Sequence, residues 1–183
     1  MDSDKVERAH STPAWHWLLF AGILCAAAYL RFTGLNWDEG QWIHPDEGHM
    51  RIITSVIHVP DSPALYFDTH NSPLNCRNSG YVYSYGTLPL FLTRWTAEWL
   101  DRSCQAPGGG ISAVLKGLPD PAWGAACTFG AFTGPASALV GRFFSALFDV
   151  GTVVLVYLIG RRLYGQTTGL LAMVFAAFTP FTI

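Results

Sequence analysis

The chain has 183 residues, a length that suits one domain of roughly 100–200 residues. Only 13% of them are charged, about half the usual share, and 14% are aromatic, which argues against an ordinary soluble domain. A net charge of -2 offers no basic face for a nucleic acid, so that class of partner is not expected.

The apolar residues gather in three runs, at 15–30, 143–159 and 169–183. Residues 1–13 ahead of them are polar and mixed in charge (Asp2, Asp4, Lys5, Glu7, Arg8) and read as a cytoplasmic tail. A first membrane-spanning helix is expected over residues 14–35. It reaches the roughly 20 residues a bilayer requires if Arg31 snorkels and residues 32–35 are included. Trp15 and Trp17 at one end and Tyr29 at the other suit the two interfaces. The competing reading is a cleaved signal peptide, with Ala26 and Ala28 as the small residues of a cleavage site. The balanced charge of the tail and the further apolar runs favour a retained helix. A lipoprotein signal fits less well, because Leu24 stands before Cys25 where a small residue is wanted, and Cys25 reads as a packing residue.

Residues 36–141 form a long loop, expected on the extracytoplasmic side. Loops beyond about 12–15 residues are usually functional or structured. Pro45 with Asp46 and Glu47 behind it is a helix start. Met50, Ile53 and Ile57 then recur at helical spacing, which predicts an amphipathic interfacial helix near 45–59. Residues 60–85 are rich in Pro, Asn, Ser and Tyr and read as irregular. A second interfacial helix is expected near 88–100, broken near Pro89, with Arg94 and Glu98 arguing against a full span. Residues 101–135 are dominated by Gly, Ala and Pro and read as a flexible insertion. Of the loop cysteines Cys76, Cys104 and Cys127, two can form one disulfide in an oxidising compartment, leaving one thiol. No CxxC pair exists to support a zinc ribbon or a thioredoxin-like site.

A second span is expected over 142–160, then a short cytoplasmic loop at 161–168 and a third, truncated span at 169–183. Arg161 and Arg162, with Lys5 and Arg8, set the orientation of tail in, long loop out. Asp149 falls inside the second span, where a carboxylate costs about 2.5–3.5 kcal/mol on insertion scales. It should therefore meet a polar partner in a helix bundle or be a protonated, hydrogen-bonded structural group. The fold class is all-α integral membrane, with two to three spans around a long outer loop. Since the third apolar run stops at Ile183, the chain reads as the amino-terminal part of a longer protein.

The residues able to do chemistry concentrate at His44-Pro45-Asp46-Glu47-Gly48-His49. A carboxylate at a helix start lies in the positive field of the helix dipole and can take a proton from a hydroxyl nucleophile. Acidic residues in a first turn are also ordinary helix caps. A divalent cation is the third reading, with His44, Asp46, Glu47 and His49 as ligands, although the spacing matches no familiar zinc pattern. Asp38 and Glu39 form a rival acidic pair.

The run Tyr29-Leu30-Arg31-Phe32-Thr33-Gly34-Leu35 followed by His44 to Glu47 resembles the start of a GT-C glycosyltransferase of the protein O-mannosyltransferase and aminoarabinose-transferase type, glycosyltransferase family 39. Residues 141–165 are similar to that family's second span, residues 169–180 to its third, and Tyr85 to Pro89 to its Tyr-x-x-x-Pro stretch. The resemblance implies the first part of a GT-C bundle and transfer of a sugar from a polyprenyl-phosphate carrier to an acceptor outside the cytoplasm. It implies Asp46 as the catalytic carboxylate with Glu47 beside it, and Arg142 as a contact to the carrier phosphate. His44, His49 and Asp149 are possible supporting residues, and the resemblance implies no metal and no cofactor. Its implied partners are the lipid-linked donor, the bilayer and an acceptor that is protein, lipid or glycan. Members of such a family have on the order of ten or more spans, and His44 is not general among them. The alternative from a different class is a small membrane subunit whose outer loop binds a partner or a divalent cation.

Overall fold

A computed structural model describes residues 13–41, 43–108 and 110–179. The expected tail, apart from Pro13, and the last four residues of the expected third span lie outside these. The described residues form eight α-helices and one 3-10 turn, with no strand among them. The chain divides into two compact units, one made of residues up to Arg31 and from Leu147 onward, the other of residues 32–146.

The first unit holds α1 (Ala14–Phe32) up to Arg31, the later turns of α7 (Ser137–Tyr164), and α8 (Gln166–Phe178). With 19 and 28 residues, α1 and α7 are long and apolar enough to cross a bilayer. The 13 residues of α8 are apolar but shorter than a span. The expected loop over 161–168 is reduced to a single residue, because Arg161 and Arg162 continue α7 and Gln166 already begins α8. Gly165 makes this turn at φ +95°, a backbone region that L side chains rarely adopt. The two helices touch at glycines. A Cβ on Gly169 would lie 2.8 Å from the Arg161 nitrogen and 2.9 Å from the Tyr157 carbonyl, so a larger side chain there would push the helices apart.

Ala27, Val153, Tyr157, Leu170, Met173 and Ala177 form the core of this unit. Polar side chains of this unit find partners within it. His16 lies 2.8 Å from the Tyr157 hydroxyl, and the Arg161 guanidinium sits over the Trp17 ring. Arg31 does not extend into solvent as the snorkelling reading required. It pairs with Asp149 and donates to the carbonyls of Ala176 and Ala177 at 2.9 Å each, closing the end of α8. The outer faces of the helices carry exposed Leu18, Leu155, Ile159 and Phe175.

The second unit holds α2 (Pro45–Val56), α3 (Pro63–Phe67), the 3-10 turn Cys76–Ser79, α4 (Leu88–Gln105), α5 (Gly110–Lys116), α6 (Pro121–Phe129) and the opening turns of α7. Pro89 does not break α4. It sits in the first turn, where the missing N–H has no helical partner to lose. The apolar stripe of α2 is turned inward, with Ile53 and Ile57 buried against Leu74 and Leu90. A second core joins Ala97 and Leu100 of α4 to Trp123, Ala126 and Cys127 of α6, with Phe132, Leu139 and Val140.

Residues 101–135 are largely helical rather than a flexible insertion. Asp120 caps α6 by accepting from the Ala122 N–H at 2.9 Å, Pro121 follows at the first helical position, and Cys104 is disulfide-bonded to Cys127. This pairing leaves Cys76 half-buried as the free thiol of the loop, and Cys25 is exposed on α1. Polar side chains of α4 fasten the unit. Arg94, 4% exposed, donates to Glu98, to His58 and to the carbonyls of Thr54 and Thr133. Asp101 accepts from the N–H groups of Phe132 and Thr133.

Candidate active site

The acidic segment around His44 meets α7 within the second unit. Glu47, in the first turn of α2, accepts from Arg142 in a two-bond fork, Nε to Oε1 at 2.5 Å and Nη2 to Oε2 at 2.7 Å. Asp38 takes the other edge of the same guanidinium, at 2.9 Å from Nη1 and 2.8 Å from Nη2. The remaining Nη1 hydrogen goes to the Leu35 carbonyl at 2.8 Å, and Trp37 lies against the cation at 5.3 Å from its ring centroid. A guanidinium has five N–H donors. Four hydrogen bonds are made here, two to Glu47, one to Asp38 and one to Leu35, and Nη2 also lies in ion-pair contact with the second Asp38 oxygen.

These partners bear on the expected phosphate contact. An Arg fork matches phosphate as well as it matches carboxylate. In this arrangement, however, both edges of Arg142 already hold carboxylates, and a phosphate would have to displace one of them. The two carboxylates differ in access, since the Asp38 side chain is 1% exposed and that of Glu47 is 21% exposed.

Asp38 is delivered by a tight turn. Glu39 sits at φ +51° and Gly40 at φ +80°. The Gly40 N–H donates to Asp38 Oδ1 at 3.2 Å, and the Gln41 N–H to the Asp38 carbonyl at 2.9 Å. Glu39 is exposed and is the one described residue other than glycine with positive φ. In the sequence Asp38 and Glu39 stand as a rival acidic pair. The structure brings Asp38 to the same cation as Glu47.

Asp46, next to Glu47, is exposed and enters no hydrogen bond or ion pair through its side chain among the described residues. His44 occupies the helix cap position without a side-chain cap bond. His49 donates from Nε2 to the Val82 carbonyl at 3.2 Å and stacks on Tyr83 at 6.0 Å between ring centroids. Burial pushes the Tyr83 phenol up, with Tyr85 and Cys76 adding to the effect, so Tyr83 faces His49 as a neutral hydroxyl-bearing ring. Asp149, paired with Arg31, belongs to the first unit. No group of three or more His, Cys, Asp or Glu side chains able to hold a metal occurs among the described residues, and His44, Asp46, Glu47 and His49 do not form one.

Elsewhere in the second unit an apolar cavity of about 380 Å³ is lined by Val59, Pro60, Tyr66, Leu74, Phe91 and Trp95, among others.

The site is therefore a carboxylate–guanidinium cluster with one unpaired carboxylate at its edge, in an all-helical chain carrying two helices fit to span a bilayer. Residues 119–183 match the family model described as dolichyl-phosphate-mannose-protein mannosyltransferase. Neither the comparison with curated proteins nor that with solved structures gives a match. The matched segment is roughly the last third of the chain. It contains Arg142, whereas Asp38, Asp46 and Glu47 lie before it.

Proposed function

We propose that this chain is part of a membrane glycosyltransferase that moves a sugar, mannose or a relative of it, from a polyprenyl-phosphate carrier to an acceptor outside the cytoplasm. The observation that carries the reading is the fork from Arg142 to Glu47. It joins the segment that matches a mannosyltransferase family to the acidic first turn of α2, which lies outside that match. Two further features support the setting. The Cys104 to Cys127 disulfide suits a loop in an oxidising compartment outside the cytoplasm. Exposed leucine, isoleucine and phenylalanine on α1, α7 and α8 suit lipid contact.

In the proposed reaction an acceptor hydroxyl attacks the anomeric carbon of the carrier-linked sugar. Its proton passes to Asp46, the carbon–oxygen bond to the carrier phosphate breaks, and the lipid phosphate departs with the bonding pair. Direct attack inverts the anomeric configuration. Asp46 suits the base role because it is the carboxylate of the cluster that Arg142 leaves unpaired and solvent can reach. Arg142 acts first as the clamp that holds Glu47 and the start of α2 in place. The test is Asp46→Asn in the full-length protein, assayed for label transfer from dolichyl-phosphate mannose in membranes. Transfer should fall at least a hundredfold with expression unchanged, and near-normal transfer would remove Asp46 from the mechanism.

A further inference from the structure

We infer that Asp38 is a positioning residue of this site, acting on the first turn of α2 through Arg142. The inference rests on the reading above and adds to it a residue that touches none of the reacting atoms. Arg142 alone could rotate about its long side chain and present any edge to Glu47. Asp38 removes that freedom. It grips Nη1 and Nη2 from a buried turn, and together with the Leu35 carbonyl it leaves only the Nε and Nη2 hydrogens facing α2. Those hydrogens meet the two oxygens of Glu47, so the helix start can sit in one rotational setting, with Asp46 carried beside it.

Two observations set Asp38 apart from an incidental counter-ion. Its side chain is 1% exposed, a depth at which a carboxylate is retained only with matched partners. The turn that delivers it also places a glutamate, Glu39, in the left-handed region, a conformation of order 1–3 kcal/mol that persists only where the surroundings enforce it. Charge reinforces the effect. With Asp38 present the guanidinium is shared between two carboxylates, so neither Glu47 nor its neighbour Asp46 has the cation to itself.

The test uses Asp38→Asn in the full-length protein, which keeps the shape and one acceptor but removes the charge and half of the fork. Glu39→Gln in the same turn is the control. With dolichyl-phosphate mannose as donor, Asp38→Asn should lower kcat at least tenfold and leave the KM for the donor within twofold, while Glu39→Gln keeps both within twofold. A fall in the amount of folded protein with kcat per folded molecule unchanged would reduce Asp38 to a structural role and overturn the inference. Amide hydrogen exchange supplies the second measurement. Asp38→Asn should speed exchange across residues 46–50 about tenfold and leave residues 90–104 unchanged. If the wild-type protein transfers no label, the glycosyltransferase reading fails, and exchange alone decides. Unchanged exchange at 46–50 would then overturn the positioning role as well.

Discussion

Arg31 near the end of α1 and Asp149 within α7, 118 residues apart in sequence, form an ion pair whose side chains are 7% and 20% exposed. The same guanidinium donates to the last carbonyls of α8, so three helices of the first unit meet at one cation. A charge within an apolar span is costly and is kept where a partner compensates it.

Removing one partner of such a pair strands the other. Asp149→Ala should destabilise the protein by about 3–5 kcal/mol, the usual cost of leaving a buried charge without its partner. Replacing both residues, Arg31→Met with Asp149→Leu, should restore a substantial part of that loss. Thermal unfolding in detergent micelles measures both effects. If the double variant melts no higher than Asp149→Ala, the pair is not the source of the instability.

The glycine contact between α7 and α8 gives a steric prediction. Gly169→Leu would place a side chain where even a Cβ comes within 2.8 Å of backbone atoms of α7. Close approach at small residues is how apolar helices associate when no hydrophobic driving force separates them from lipid. The substitution should cost about 1–3 kcal/mol by overpacking. Cysteines placed at Gly160 and Ala172, which face each other across the contact, should cross-link readily in the parent and poorly in the Gly169→Leu background. Equal cross-linking in both would show that α8 does not depend on this approach.

These two cases also mark what the sequence could and could not reveal. α1 and α7 were legible because a span needs only a long run of apolar residues, and the start of α2 because Pro45, Asp46 and Glu47 form a local signal. The apolar stripe of α2 reads from spacing alone as a face for the membrane surface. Spacing does not say what covers it, and Ile53 and Ile57 are buried by Leu74 and Leu90. α6 was missed although Asp120 and Pro121 carried a cap and first-turn signal, because Gly and Ala content dominated the reading of residues 101–135. Pairings such as Arg31 with Asp149, or Arg142 with Asp38, have no local signature at all. They depend on which helices the fold brings together, so Arg31 read as a snorkelling end residue and Asp38 as a rival acid.

The disulfide between Cys104 and Cys127 closes a loop that contains α5 and the start of α6. Constraining the unfolded chain over such a span contributes about 3 kcal/mol in the loop-entropy model. Cys104→Ser together with Cys127→Ser should lower stability by that order and speed amide exchange in residues 110–129. The double replacement avoids a stray thiol, and reductant should reproduce its effect on the wild-type protein. If reductant leaves both stability and exchange unchanged, the bond makes no contribution to holding α5 and α6.

Arg142→Lys is the sharpest test of the clamp, because it keeps the charge and changes only the geometry. An ammonium has three donors around one point and cannot form two planar forks at once. Of the four hydrogen bonds to Glu47, Asp38 and Leu35, at least one must be lost, together with the second contact to Asp38. Hydrogen bonds to charged groups are worth about 1.5–3 kcal/mol each, and water can recover part of that at Glu47, whose side chain is 21% exposed. A net loss of about 2 kcal/mol is expected, concentrated in the turn at 34–41 and the first turn of α2. Amide exchange should rise in both segments, and melting should fall by several degrees. A simple electrostatic anchor would predict a different result, since Lys keeps the charge and would then hold both carboxylates. Wild-type exchange at residues 46–50 in Arg142→Lys would establish that charge alone suffices and that the fork is dispensable.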